Sequence, residues 1–397
     1  MNAQRLFIGL LDEHIHDASV RFRVNGDQFI VGQRRSQNGG SADVTVRVNH
    51  PRFFSRVLAA GNLGLGESYM NREFEMENGR LQDFLLVLLR NRFDRRIRVS
   101  AGAAIQILWQ RILDSLRGKE DNIHRHYDTG DDLFQAFLDS NLVYSCGYAM
   151  DPDDDLEQLQ KNKLERICRK LRLEPGQRVL DIGCGYGGLL IYAAKKYGIE
   201  GEGVTISRRH CAHGNKRVEQ EGLGGRVAIR YGDFNKISGV YDRVVSVGMM
   251  EHVPRGEYDR YISKIAQVLT NDGLGLVHTL GANAAKNRHD PFFQKYIFPN
   301  SNQPRLSEIT GKLEKHGLAI LDVENMIRHY GYTVMRWQQR FLQNRDKLDP
   351  AKYDDRFMRM WEYYLGCGVA AAFASDSALY QVLFTKDYTA PIPLRRI

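Results

Sequence analysis

The stretch Asp181-Ile182-Gly183-Cys184-Gly185-Tyr186-Gly187-Gly188 is where residue types and spacing most directly imply a ligand. It follows the apolar run Val179-Leu180 and leads into Leu189 to Tyr197, whose apolar spacing is helical. It therefore reads as a strand-to-helix turn. Glycines there let the backbone bend sharply and let a ligand approach main-chain N–H groups with no Cβ in the way. The same glycines satisfy G-x-G-x-x-G, the pattern of a dinucleotide site. Two features turn the reading toward S-adenosylmethionine. Asp181, two residues before the first glycine, offers a carboxylate to the positive methionine end of that molecule. The next strand, Gly203-Val204-Thr205-Ile206-Ser207, lacks the acid that a dinucleotide ribose requires.

Such a turn works at the carboxyl edge of a sheet, and the surrounding pattern supplies one. Strand signals recur at Arg178 to Asp181, Gly201 to Ile206, Val227 to Tyr231, Arg243 to Val247, Gly275 to Thr279, Ala319 to Val323 and Leu379 to Phe384. Helical patterns such as Leu189 to Tyr197 and Tyr258 to Leu269 separate most of them. The alternation predicts an α/β fold with a parallel sheet wound on both faces, the seven-stranded Rossmann-like sheet of a class I methyltransferase. Asp233, after the third strand, falls where such an enzyme receives the adenine. Glu251-His252 after the fourth strand and His278 at the end of the fifth share that edge, where open α/β sheets bind their ligands.

Upstream, Val20, Phe22 and Val24 alternate with polar residues, Asn25-Gly26 supplies a hairpin turn, and Phe29 and Val31 resume the alternation. Val44, Val46 and Val48 repeat it. Pro51 to Ala60 has helical spacing, which Gly61, Gly64 and Gly66 are expected to close. Residues 1–89 thus read as a small α+β domain, 90–125 as a linker and 126–397 as the catalytic domain. From Arg90 to Arg125 nine Arg or Lys stand against four acids, and Ile97, Ala101, Ile105, Leu108, Ile112 and Leu116 share one helical face. This predicts a basic amphipathic helix, either packed on the core or lying on phospholipid.

The 397 residues are 43% hydrophobic and 26% charged, with a formal charge of +8, which describes a folded protein with a mild preference for anionic partners. Five scattered cysteines with no C-x-x-C pair fit a reducing compartment and no structural zinc site. No apolar run approaches the ~18 residues of a spanning helix. No basic-aromatic stripe or nucleic-acid motif stands out, so nucleic acid is not an expected partner.

Several separated motifs, in one order, resemble the cyclopropane-fatty-acyl-phospholipid synthase family, relatives of the mycolic acid cyclopropane synthases. They are His126-Tyr127-Asp128-Thr129-Gly130, Tyr144-Ser145-Cys146-Gly147-Tyr148, Asp181 to Gly188, Gly203 to Ser207, Val247-Gly248-Met249-Met250-Glu251-His252-Val253 and His278-Thr279-Leu280-Gly281. Pro51-Arg52-Phe53-Phe54 and Gly64-Leu65-Gly66-Glu67-Ser68-Tyr69-Met70 resemble that family's N-terminal lipid-binding domain. The resemblance implies methylene addition across a cis double bond of a phospholipid acyl chain. It implies S-adenosylmethionine as methyl donor, held by Tyr144, Ser145, Asp181, Gly183, Gly185, Thr205, Ser207, His210, Asp233 and Phe234. It implies bicarbonate as base, in a cage of Cys146, Glu251, His278 and Tyr330 with the backbone of Leu280. A peripheral protein on the inner face of the cytoplasmic membrane and self-association as a homodimer follow from the same resemblance.

The chemistry accords with those residue types. An alkene is a poor nucleophile, so the site should exclude water, hold the sulfonium methyl close and stabilise positive charge. Tyr144 and Tyr148 are expected to offer aromatic faces to the cation. A bound anion supplies countercharge and a proton acceptor together, and a thiol, hydroxyl, imidazole and carboxyl can hydrogen-bond it. The chain departs from the family at His210, usually Gln; at Met250, usually Phe; at Asn300-Ser301-Asn302-Gln303-Pro304, usually a glycine-containing run; and at Tyr332, commonly Arg. These changes leave cofactor use intact and open an alternative product, a methyl-branched or methylene acyl chain formed without ring closure.

Overall fold

The computed structural model describes residues 3–32, 43–93, 130–283, 290–299 and 301–391. Of the basic stretch 90–125 only the first four residues fall within it, and of the motif 126–130 only Gly130; Asn300 lies outside. The described residues pack as two units. One takes those within Met1–Ala136, Arg288–Pro299 and Gln338–Ser375; the other takes those within Phe137–Asn287, Asn300–Trp337 and Asp376–Ile397.

In the first unit, strands β1 (Val20–Val24), β2 (Asp27–Val31), β3 (Val44–Val48) and β4 (Phe74–Asn78) form a sheet of order β2-β1-β3-β4. Asn25 and Gly26 both have positive φ, which is what a two-residue hairpin turn requires. Val20, Phe22 and Val24 face inward with Val44, Val46 and Val48, against a cluster of Phe7, Phe53, Phe54, Phe74 and Phe84. Gly61 ends the first helical segment, as expected, and a second segment follows directly. The two segments together span Arg52–Met70, joined at Gly61, whose φ is 56° and ψ −130°. Gly64 and Gly66 instead allow close packing: a Cβ would lie 2.2 Å from the Arg56 carbonyl oxygen at Gly64 and 2.4 Å from the Phe292 ring at Gly66. The helices Pro291–Tyr296 and Asp355–Ala374, which the sequence placed with the catalytic domain, pack in this unit. Tyr363 meets Phe292 and Tyr69, while the Arg359 guanidinium sits 3.9 Å over the Tyr69 ring.

In the second unit, β5 (Arg178–Ile182), β6 (Glu200–Thr205), β7 (Val227–Tyr231), β8 (Tyr241–Val247), β9 (Leu269–Ala282), β10 (Ala319–Asn325) and β11 (Ser377–Thr385) are the seven expected strands. Their order is β10-β11-β9-β8-β5-β6-β7. The sheet is parallel, as expected, except at one strand: β11 runs antiparallel to both β9 and β10. A buried strand is an apolar run in either direction, so its sequence carries no sign of its polarity. β5 to β9 are mutually parallel, so their carboxyl ends share one edge. No described helix is long and apolar enough to cross a membrane.

Candidate active site

Beyond β5 the chain turns through Gly183, Gly185 and Gly187, with φ of +82°, +54° and +77°, before the helix Gly188–Tyr197. These left-handed conformations favour glycine at all three positions. Their surroundings differ. A Cβ at Gly183 would lie 2.8 Å from Met249 Cγ, and one at Gly187 would lie 2.8 Å from Ile229 Cδ1. A Cβ at Gly185 would meet nothing within 4 Å. The first and third glycines therefore serve packing, and the middle one borders open space.

Asp181, next to this turn, is buried, and its Oδ1 has no partner among the described residues. Burial pushes its carboxyl up to about 7, against the lowering influence of Lys163. Thr205 Oγ1 accepts from Ser207 N at 3.2 Å, and Ser207 Oγ accepts from His210 N at 3.2 Å as the cap of the helix Arg208–Gln220. The His210 ring lies 4.3 Å from that of Tyr186. Asp233 accepts from Asn235 N and Nδ2 at 2.8 and 2.7 Å. Phe234 stands edge-on to Tyr261. Ser207 and Asp233 thus also have local capping roles.

The second group lies at the ends of β8 and β9 and on segments that pack there. Cys146, Met326 and Leu379 form a buried cluster against which Tyr148, Leu280, Ile327 and Tyr330 pack. Burial pushes the Cys146 thiol well above its ordinary range, so it is a neutral S–H; its Sγ lies 3.0 Å from the Gly147 carbonyl oxygen. His278 is also buried, and burial together with the Lys163 and Lys170 ammoniums holds its imidazole down to about 3. Its Nδ1 lies 3.3 Å from Gln381 Nε2, and its Nε2 has no partner among the described residues. Glu251 Oε2 accepts from Thr279 Oγ1 at 2.7 Å, and its Oε1 accepts from Leu280 N at 3.4 Å. Tyr330 stands edge-on to Trp337 at 5.8 Å. The structure thus places Cys146, Leu280 and Tyr330 in one cluster, ties Glu251 to Leu280, and sets His278 two residues before Leu280 on β9. Tyr332 is in the same helix as Tyr330, Ile327–Asn344.

Two aromatic expectations divide. Tyr144 joins Phe137 and Tyr330 around Trp337, with ring centroids 5.2 Å apart for Tyr144 and Trp337. Tyr148 is engaged elsewhere: the Arg166 guanidinium lies 4.4 Å over its ring and His329 stacks on it at 4.1 Å. A ring whose π system already faces a guanidinium and an imidazole is not open to a substrate cation.

Sequence reasoning missed Lys163. It is buried on the helix Leu156–Lys170, and its Nζ donates to Ser145 Oγ at 3.2 Å. Burial pulls its ammonium down to about 8, opposed by Asp139, Cys146 and Asp181. The signal was present: Gln160 and Lys163 interrupt the apolar face made by Leu156, Leu159, Leu164 and Ile167. A cation at such a position marks something negative nearby. Gln160 Nε2 donates to the Ser145 carbonyl at 2.8 Å, so one helix face fixes both the backbone and the hydroxyl of Ser145.

Residues 114–382 match the family described as mycolic acid cyclopropane synthetase. The chain is 40% identical over 355 residues to the cyclopropane-fatty-acyl-phospholipid synthase of Escherichia coli K12, covering 87% of this chain and 89% of that protein. It is 31% identical over 377 residues to a Pseudomonas putida protein named "Probable fatty acid methyltransferase", covering 92% and 91%. Among solved structures, the mycolic acid cyclopropane synthase CmaA1 complexed with SAH and CTAB matches with a TM-score of 0.62 and 25% identity, over 67% of this chain and 98% of that one.

Proposed function

The chain belongs to the mycolic acid cyclopropane synthetase family and is an S-adenosylmethionine-dependent C-methyltransferase-like enzyme; on that premise we propose that it builds a cyclopropane ring into an unsaturated acyl chain of membrane phospholipid. The double bond would take the methyl carbon as that carbon's bond to the sulfonium sulfur breaks and the thioether leaves, and passage of a proton from that carbon to a bound base would let its C–H electron pair close the ring. The observation that carries this reading is the cluster of Cys146, Leu280 and Tyr330 beside His278, whose buried Nε2 lacks a partner among the described residues. An apolar wall with an orphaned polar atom suits an oily substrate and one small polar guest.

The residues fit both groups the reaction requires. The partnerless Oδ1 of buried Asp181 suits the ammonium of S-adenosylmethionine, and the open space at Gly185 suits its approach. Tyr144, Ser145, Thr205, Ser207, His210, Asp233 and Phe234 complete that site, with Gly183 shaping its turn. The orphaned His278 Nε2 suits bicarbonate, which Cys146, Glu251, Tyr330 and the Leu280 N–H would share. When bound, S-adenosylmethionine supplies an electrophilic methyl and bicarbonate supplies a proton acceptor. The protein's own part is to hold them, keep water from the cation, and place Tyr144 and Tyr330 where aromatic charge density favours it. The neutral Cys146 thiol donates a hydrogen bond and does not compete as a nucleophile for the methyl.

In the same proposal residues 1–89 bind lipid, the basic stretch 90–125 docks on anionic headgroups, and 126–397 carry the chemistry, on the inner face of the cytoplasmic membrane and as a homodimer. Incubation with methyl-labelled S-adenosylmethionine and oleoyl or vaccenoyl phospholipid liposomes tests it. Label in the acyl chain is expected; none in lipid, across several headgroups, overturns it. The alternative product is a methyl-branched or methylene acyl chain formed without ring closure; the departing run 300–304 borders Glu251, whose carbonyl accepts from Asn302 N at 2.6 Å. Ozonolysis of the labelled lipid separates the outcomes, because it cleaves a methylated alkene and spares a ring.

The Asp181 carboxyl predicts a pH dependence for cofactor affinity. Below about 7 burial holds Asp181 neutral in the free protein, so binding an ammonium there must first expel a proton. The dissociation constant should rise as pH falls below 7, approaching about tenfold per unit, and flatten above it. Calorimetric titration between about pH 5.5 and 8.5 checks this, and a constant affinity across that range would remove Asp181 as the ammonium's partner.

A further inference from the structure

We infer that Gln381 is a positioning residue that fixes His278 as its Nε2–H tautomer, making the imidazole a hydrogen-bond donor to the bound anion and not a base. The inference rests on the proposed anion cage and names what one member does in it. His278 on β9 and Gln381 on β11 are direct partners across the antiparallel ladder, and both are buried. A neutral imidazole carries one N–H, and the group facing either nitrogen decides which one. Here Gln381 Nε2 faces Nδ1 at 3.3 Å, and an amide nitrogen can only donate. Nδ1 must therefore be bare, and the proton sits on Nε2.

The reversed amide is the alternative, since oxygen and nitrogen of a glutamine exchange by rotation. In the present orientation Oε1 is the buried amide atom without a partner among the described residues. Reversal would put the NH2 group there and strand both of its N–H bonds. Proteins tolerate an under-satisfied carbonyl better than orphaned N–H donors. At the other end of the ring, Nε2–H is buried without an acceptor among the described residues, and both Lys163 and Lys170 disfavour protonation of the imidazole. A donor with no acceptor, in a field that favours negative charge, is suited to an anion. With one lone pair committed to Gln381 and the other nitrogen already protonated, His278 has no basic site facing the reaction. The proton from the substrate must go to the anion.

Two-bond 1H–15N correlation spectra of protein labelled in histidine nitrogen test this without lipid or cofactor. The chain has 12 histidines, so His278→Asn is needed to assign the signal by its loss. At pH 7 the His278 pattern should be that of Nε2–H. Gln381→Met, similar in length and without a donor, should give mixed tautomers. It should also lower turnover by about tenfold with little change in KM for phospholipid, the size of one misplaced hydrogen bond. Gln381→Glu, which can accept but not donate, should move the proton to Nδ1 and provides the test if the Met variant does not fold. A wild-type Nδ1–H pattern, or a tautomer unchanged in the folded variants, overturns the inference. Labelled lipid together with Nδ1–H would defeat this inference alone, whereas Nε2–H with no label in lipid would defeat the proposed function alone.

Discussion

Gly185→Leu should fold and fail to bind S-adenosylmethionine. The residue is left-handed at φ +54°, so an L side chain there costs about 1–2 kcal/mol of strain. It meets no protein atom within 4 Å of an added Cβ, so the cost stops there. A melting temperature lowered by only a few degrees is expected for a protein of this size. The same side chain would fill the space the cofactor needs, and affinity should fall by about a hundredfold or more. Gly183→Leu and Gly187→Leu provide the contrast. Their side chains would press on Met249 and Ile229 as well as strain the backbone, so stability and binding should fall together. Calorimetry of all three variants with S-adenosylmethionine, beside thermal melts, separates these cases. Gly185→Leu binding with wild-type affinity would place the cofactor elsewhere.

Glu251→Ala should keep cofactor affinity within about twofold and lose between about a hundred- and ten-thousandfold in turnover, the range of a positioned proton-handling group. The carboxylate is oriented by the Thr279 hydroxyl at 2.7 Å and the Leu280 N–H at 3.4 Å. A carboxyl oxygen can accept a hydrogen bond, and a bicarbonate ion has one O–H to donate. Glu251 would therefore take that hydrogen and turn the basic oxygens of the ion toward the substrate. Without the carboxylate the anion loses its orientation, and the cation waits for a base or meets water. Thr279→Val, which removes only the orienting hydroxyl, should give a smaller loss of about tenfold. Single-turnover kinetics with labelled S-adenosylmethionine measures both. Full turnover in Glu251→Ala would remove it from the chemistry.

The arrangement explains why some of the site was legible in the chain and some was not. The turn at Gly183 to Gly187 announces itself because positive φ at three places within five residues demands glycine. The strands of the larger sheet announce themselves as apolar runs broken by helical spacing. Lys163 was hidden because one charged residue in a helical pattern ordinarily reads as solvated. Only its place on the face shared with Leu159 and Leu164 shows that it is buried. Gln381 was hidden more deeply, since it sits in a strand and its meaning comes from the residue opposite it.

Sequence alone determined the fold class, the seven strands and the edge on which the ligand-binding turn must lie, because these follow from local periodicity and from conformations only glycine adopts easily. It also marked Cys146, Glu251 and His278 as candidates, through the motifs in which they sit, and Tyr330 through the family resemblance alone. The tertiary structure decided the antiparallel course of β11, and with it the pairing of His278 with Gln381. It decided that Tyr148 is engaged by Arg166 and His329 while Tyr144 joins the Trp337 cluster. Such facts depend on residues far apart in the chain, and no local pattern encodes which distant side chain will fill the space beside a given ring or carboxylate.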